Sequence, residues 1–336
     1  MNKLLLVPLV FVVLVSGCSV PGLPGFGGGT TGQYANDIII IKDQSVFPAS
    51  VKANQDITLV TYIQNLGTRG SVKGVKVNLY DTCGVFSKIR IDRPSSCNKI
   101  SDRGLETGQT GCDSLTVLPQ EVKEIRWVLT PDQNNVKVPI SSCKLKVSVD
   151  YPYSTSSQTE LYFINNEEYQ RQQEQNTLSS KSSSHTKSDG PVEAYVLPDN
   201  NVRQPIPVLD KNFVPVSLYV ENVGSGFLSK PIKGGDLKIL FDGQGIGTKA
   251  KNGDCSWTIA NNDAKTGTEI FSSKELTLIG KKSPPSPCLI GMPSDVKTEK
   301  TTRLSVELSD YSYQFRKESS VSIEPVGYEK PAEPAK

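Results

Sequence analysis

The sequence predicts an all-β chain, two tandem antiparallel β-sandwich domains with a flexible linker between them. Three observations lead there. Short runs of alternating apolar and polar residues recur along the chain, separated by Gly, Asn, Asp and Pro clusters. The runs repeat in the same order at a period of about 160 residues. Beyond the N-terminal segment, neither half carries a convincing helical period.

The N-terminal segment sets the compartment. Lys3 precedes an apolar run from Leu4 to Leu14, and Val15-Ser16-Gly17-Cys18 closes it. This is the layout of a secretory signal peptide ending in small residues. The run is about half the ~20 residues a membrane span needs, and Pro8 interrupts it. The closing tetrapeptide resembles a lipobox, which implies cleavage before Cys18 and lipidation of its thiol; retention of the segment as an uncleaved anchor is the alternative. Residues 1–18 are thus expected to be a signal peptide, with the remainder held at the cell membrane on its extracytoplasmic side. The next stretch, 19–34, holds Pro21-Gly22, Pro24-Gly25 and Gly27-Gly28-Gly29 and is expected to be a flexible tether.

Strands follow. In the first domain, expected over 35–165, Ile57, Leu59 and Tyr62, with Val60 and Ile63, mark a β-rich run that ends at Asn65-Leu66-Gly67. Val75, Val77 and Leu79 alternate with Lys76 and Asn78; Ile125, Trp127 and Leu129 alternate with Arg126 and Val128; Leu145, Val147 and Val149 alternate with Lys144, Lys146 and Ser148. Residues 166–190 form a polar linker, with a short exposed helix expected near Glu167–Gln175 and disorder over Ser179–Ser188. The second domain, 191–326, repeats the scheme. Leu218 to Gly224 answers Thr61 to Gly67, Leu237 to Asp242 answers Val75 to Asp81, and Leu276 to Ile279 answers Leu115 to Leu118. Tyr311-Ser312-Tyr313 answers Tyr151-Pro152-Tyr153, and Leu304, Val306 and Leu308 form its late strand. The tail, 327–336, is Pro, Ala, Glu and Lys and is expected to be disordered.

Each Asn-x-Gly is expected to be a sharp turn, with glycine accepting positive φ and asparagine bonding the backbone through its side chain. Tyr153 and Tyr313 are expected as structural anchors whose hydroxyls bond the backbone. A strand ending in Asn-x-Gly, followed by an alternating strand ending in Tyr-Asp or Phe-Asp, resembles immunoglobulin-like modules of the cell-adhesion-related type (CARDB). The residues concerned are Asn65 to Gly67 with Val75 to Asp81, and Asn222 to Gly224 with Leu237 to Asp242. The resemblance implies immunoglobulin-like sandwiches in a prokaryotic, archaeal surface lipoprotein, acting as binding or spacing units.

Setting Cys18 aside, six cysteines remain: Cys83, Cys97, Cys112 and Cys143 in the first half, Cys255 and Cys288 in the second. Even counts in an exported chain read as disulfides. Cys255–Cys288 follows if the halves are separate domains, whereas the first four allow three connectivities. No C-x-x-C pair is present, so no metal site is expected, and Asp242 to Gly245 and Asn252 to Asp254 lack the calcium-loop register. The two cysteine-bearing insertions, Gly84–Gly111 and Gly243–Lys274, are expected to be loops that form the working surface, with Trp257 as candidate binding residue or as lid of the core.

Chemistry is sparse. The single histidine, His185, lies in the linker, which leaves no histidine for a nucleophile–base arrangement in either domain. With 37 Lys and Arg against 35 Asp and Glu, the net charge is +2, and no basic cluster interleaves with aromatics, so nucleic acid is not an expected partner. No cofactor is expected. The functional expectation is a non-enzymatic binding or scaffolding module of the cell envelope, tethered to the membrane by its lipid and facing an envelope protein or glycan. An accessory subunit of a surface assembly, such as a pilus or secretion system, is the alternative.

Overall fold

The structure is a computed structural model that describes residues 36–68, 70–92, 100–102, 110–199, 202–209, 213–233, 235–242, 257–263, 268–273, 275–293 and 296–328. The chain divides into two compact units, Met1–Gln33 and Tyr34–Lys336. The signal peptide, Cys18, the tether 19–34, Cys97, Cys255, the stretch 243–256 and the last eight residues lie outside the described residues.

The expected all-β, antiparallel class is what the structure shows. The first half contributes β1 (Ile39–Phe47), β2 (Ser50–Lys52), β3 (Ile57–Asn65), β4 (Val72–Asp81), β5 (Phe86–Asp92), β6 (Ile100–Asp102), β7 (Thr110–Val117), β8 (Val122–Pro131) and β9 (Ile140–Asn165). A single helix, α1 (Asn166–Glu174), and β10 (His185–Lys187) lead into the second half. There the strands are β11 (Val192–Pro198), β12 (Ile206–Val208), β13 (Phe213–Asn222), β14 (Phe227–Leu228), β15 (Leu237–Asp242), β16 (Trp257–Asp263), β17 (Thr268–Ser273), β18 (Ser286–Gly291) and β19 (Glu299–Glu324). Two small sheets, β1-β3-β8-β5 and β11-β13-β18, accompany one 12-stranded sheet whose spine runs β16-β17-β15-β19-β9-β4-β7-β6. The apolar positions singled out by alternation are the core: Leu59, Ile63, Val75, Val77, Leu79, Trp127, Leu129, Leu145, Val147, Val149, Leu304, Val306 and Leu308 are all buried.

What joins the halves is a pair of unusually long strands. β9 and β19 each run 26 residues, roughly 85 Å at about 3.3 Å per residue. They pair antiparallel along most of that length, from Glu299 opposite Ile164 to Ile323 opposite Ile140. The repeat relates Tyr151 to Tyr311 and Tyr153 to Tyr313, yet the ladder sets Tyr151 opposite Tyr313, Tyr153 opposite Tyr311, and Pro152 opposite Ser312. That register is the signature of a pseudo-two-fold axis passing through the Pro152–Ser312 pair. Beside it, β19 bulges at Ser309 and Asp310, where Asp310 takes φ 51° and its N–H donates to Ser154 Oγ at 3.0 Å.

The same symmetry exchanges strands between the halves. β2 of the first half pairs parallel with the end of β19, Ser50 opposite Ser322, and β12 of the second half pairs parallel with the end of β9, Ile206 opposite Phe163. Each half therefore holds the terminal residues of the other half's last strand.

Three expectations need correction. The helix expected near Glu167–Gln175 is present as α1, capped by the Asn165 side chain, which accepts from Glu167 N at 2.9 Å, but the disorder expected over Ser179–Ser188 is not, since β10 pairs with β9, His185 opposite Thr159. The free edge of β9 supplies backbone partners that composition does not reveal, with Glu160 N–H bonded to Ser184 O and Ser188 N–H to Ser156 O. The insertions are not simply loops, since β5 and β6 lie in one and β16 and β17 in the other; Ile89 and Ile91 alternate with Lys88 and Arg90, a strand period obscured by the cysteine-rich context. And the Asn-x-Gly glycines do not serve positive φ. Gly67 and Gly224 are absent from the positive-φ positions, and a Cβ at Gly224 would run into Asp37, the Tyr313 hydroxyl and Pro191. Glycine is needed there for room.

Truncating Trp127 to alanine empties the centre of the first core and is expected to lower stability by about 3–5 kcal/mol in denaturant titration. Phe47→Ala, at a side chain 77% exposed, is expected to change it by less than about 0.5 kcal/mol.

Candidate binding surface

The waist of the molecule, where the pseudo-two-fold axis crosses β9 and β19, brings both halves together on two faces. On the buried face four tyrosines interlock edge-on: Tyr151 against Tyr313 with centroids 5.7 Å apart, Tyr151 against Tyr153 at 6.4 Å, and Tyr153 against Tyr311 at 6.2 Å. The expected anchoring role is visible at Tyr313, whose hydroxyl donates to Asn222 Oδ1 at 3.0 Å and is also bonded by the backbone of Gly226. Asn222 Oδ1 accepts as well from Gly224 N–H at 3.1 Å, and its Nδ2 donates to Gly226 O at 2.7 Å, so one side chain closes its own turn and locks it to β19. Asn65 does the same in the first half, accepting from Gly67 N–H at 2.9 Å and donating to Val117 O at 3.1 Å. Tyr153, at the equivalent position to Tyr313, is only half-buried.

Asp37 connects the start of β1 to this cluster. Its two oxygens accept from Ser225 N–H, both at 3.1 Å, and it is 3% exposed. Burial pushes its carboxyl above the ordinary value of 3.8, with the Ser225 hydrogen bonds opposing that rise in part. The Tyr313 hydroxyl is pushed up in turn, chiefly by burial and secondarily by the Asp37 charge.

The opposite face of the waist carries a groove of about 390 Å³. Its floor is Asp150, Tyr151, Pro152 and Ser312, at the axis itself; its walls are Gly74 and Lys76 from the first half and Ser229 and Lys230 from the second. The groove exists because β4 leaves β9 early. Their pairing runs only from Asp81 to Lys76, opposite Asp150; beyond it β4 bulges, with Gly74 at φ 72°, and Pro152 has no N–H to offer. Across the groove, Ser229 N–H donates to Ser312 O at 2.9 Å. Next to it the Arg316 guanidinium lies between two rings, 4.5 Å from the Phe227 centroid and 5.4 Å from that of Tyr80. Arg316 Nε donates to Gln314 Oε1 at 2.7 Å, and Gln314 Nε2 donates to Asp150 Oδ1 at 2.7 Å.

The residues singled out from the sequence fall elsewhere. Cys83 and Cys143 are joined, with their Cα atoms 5.8 Å apart, tying the end of β4 to the start of β9. Cys112 and Cys288 are each disulfide-bonded as well. Trp257 does not sit in a loop: it is the first residue of β16, opposite Ser273 of β17 at the margin of the large sheet. His185 is not adrift in a linker; its ring stacks on Tyr195 at 4.9 Å, and Tyr195 on Tyr219 at 5.6 Å. Among the described residues, the Cys83–Cys143 bridge joins β4 to β9 and His185 lies on β10, whereas Trp257 belongs to β16. Sequence reasoning missed Lys76, Asp150 and Lys230, which are ordinary exposed charges until the β9–β19 register makes them neighbours. The only linear hint is the paired Tyr-x-Tyr motif that marks the axis.

No protein-family model matches the chain, and no curated protein does. Among solved structures, the adhesin InvE of Yersinia pseudotuberculosis aligns over 88% of this chain and 61% of its own, at 11% identity and a TM-score of 0.19. The collagen adhesin of S. aureus aligns over 86% and 94%, at 9% identity and 0.13. The Enterococcus faecalis MSCRAMM ACE gives 8% identity and a TM-score of 0.15 over 85% and 95%. Scores this low carry no argument about this chain, whose fold rests on its own strand registers.

The raised Asp37 carboxyl has a testable sign. The folded state holds this proton more tightly than the unfolded chain, so the contribution of Asp37 to stability grows as pH falls towards 3.8 and levels off below it. In denaturant titrations from about pH 7 to about pH 4, the stability difference between wild type and Asp37→Asn is expected to move in favour of wild type. Movement the other way would contradict the burial assigned to Asp37.

Proposed function

We propose that this protein is an exported lipoprotein, held to the extracytoplasmic side of the cell membrane through Cys18, that acts without catalysis as a binding or scaffolding module for another protein or glycan of the cell envelope. The observation that carries the reading is the disulfide Cys83–Cys143, together with the bonded states of Cys112 and Cys288, alongside the apolar run Leu4 to Leu14 and the lipobox-like Val15-Ser16-Gly17-Cys18. Disulfides persist in oxidising compartments. Two acyl chains on one cysteine would hold the body firmly, where a single chain binds membranes only marginally.

In this reading the repeats, 35–165 and 191–326, are immunoglobulin-like modules of the CARDB-like kind. The assignment to a prokaryotic, archaeal surface rests on the Asn-x-Gly and Tyr-Asp or Phe-Asp elements alone. Several ionisable groups are engaged in structural pairs, such as Lys146 with Asp81 at 2.6 Å and Arg171 with Glu168 at 2.6 Å, which suits a binding body. No cofactor or metal is assigned. The working surface is placed on the waist groove, with Trp257 on β16 as the outlying candidate.

Mass spectrometry on protein taken from native membranes without reduction tests the reading. The expected result is a diacylated or otherwise lipidated Cys18 at the mature N-terminus, and cross-linked peptides pairing Cys83 with Cys143, Cys97 with Cys112, and Cys255 with Cys288. An unmodified Met1 with reduced thiols in the cytosolic fraction would overturn it.

A further inference from the structure

We propose that the waist groove binds an acidic sugar residue of a glycan, a uronate, with its carboxylate between Lys76 and Lys230 and its hydroxyls on Asp150 and the serines. The proposal rests on the binding-module reading above and adds the ligand class. It starts from which charges on this face are satisfied. Farther along the same sheet the cations are matched: Lys144 Nζ lies 2.8 Å from Glu318, and Lys146 Nζ 2.6 Å from Asp81. At the groove they are not. Lys76 stands opposite Asp150 in the ladder but closes no ion pair with it, and Lys230 has no carboxylate partner among the described residues. Lys76 and Lys230, one from each half of the chain, thus line the same groove without a carboxylate partner among the described residues. A volume of about 390 Å³ is within the range of roughly 300–1,000 Å³ for small-ligand sites.

Both signs of charge are needed to select a sugar acid over a bare anion. Asp150 supplies the acceptor. Its Oδ1 is taken by Gln314, and Oδ2 has only a long contact of 3.5 Å with Ser148 Oγ, which leaves Oδ2 able to accept from a ligand hydroxyl. Gln314 in turn is held by Arg316, itself clamped between Phe227 and Tyr80, so the carboxylate is oriented by a chain of side chains already fixed in the free protein. Ser312 lines the floor, and Ser229 Oγ, which donates to Ser312 O at 3.2 Å, keeps its lone pairs for a ligand hydroxyl. An acidic peptide would use the lysines but would have little use for a presented carboxylate; that is why the sugar is favoured.

Calorimetric titration of the full-length protein in detergent tests this with a glucuronate-containing oligosaccharide, the same oligosaccharide carboxyl-reduced to glucose, and a polyglutamate peptide. The expected result is binding of the uronate form alone, weakened as salt rises. Lys76→Ala with Lys230→Ala is expected to cut affinity at least about tenfold, because both charge-assisted contacts to the carboxylate are lost. Asp150→Asn is expected to weaken it too, whereas Lys144→Ala leaves it unchanged. Equal binding of the reduced sugar, indifference to the lysine pair, no binding at all, or binding of polyglutamate alone would each overturn the assignment. Such a failure with Cys18 found lipidated removes the ligand and leaves the surface role standing; an unprocessed cytosolic chain removes the surface role whatever the groove binds.

Discussion

The ladder between β9 and β19 is the constraint on which the rest of the molecule depends. Two sandwiches built from a tandem repeat would ordinarily meet through a small interface and a linker. Here each supplies a strand long enough to finish its own large sheet and then continue into the other's. Leu145, Val147 and Val149 of β9 serve the first core, while Leu161 and Phe163 of the same strand serve the second. On β19 the assignment is reversed, with Leu304 and Val306 in the second core and Val321 and Ile323 in the first. The short strands β2 and β12 extend the exchange at either end.

From that ladder follow both faces of the waist. Because the pseudo-axis crosses at Pro152 and Ser312, Tyr151 meets Tyr313 and Tyr153 meets Tyr311 across the ladder, and the four rings interlock on the buried side. Their closeness draws in the second Asn-x-Gly turn and Asp37, which explains why Gly224 has no room for a side chain. On the outer side the same small, N–H-poor position interrupts pairing with β4 and opens a groove that belongs to neither half alone. A buried knot of aromatic rings behind a polar cleft is a stiff platform; the cleft's charged groups can be held in place before any ligand arrives.

Much of this was legible in the sequence and some was not, for reasons that residues make plain. Period-two runs such as Val75 to Leu79 and Leu145 to Val149 identified strands and buried positions together, because a half-buried strand writes its burial into alternate letters. The repeat was legible in Tyr151-Pro152-Tyr153 and Tyr311-Ser312-Tyr313. What those motifs do was not, since a repeat says that two segments are alike and nothing about whether they pair. Ser179 to Ser188 reads as a polar, low-apolar stretch, and its order comes from the open edge of β9, a partner that lies beyond α1 in sequence and is invisible to composition. Lys76, Asp150 and Lys230 carry no local signature, as exposed Lys and Asp are the commonest way to solvate a strand. Only a register brings them together.

Native-state hydrogen exchange on a variant perturbed in one half tests whether the shared strands make the chain one cooperative body. With Trp127 of β8 truncated, the amides of Leu218 and Val220 in β13 are predicted to lose as much protection as those of Leu59 and Ile63 in β3, because neither core can open without stripping β9 from β19. Protection that falls in β3 and is unchanged in β13 would show two independent sandwiches, and would contradict the account at its root.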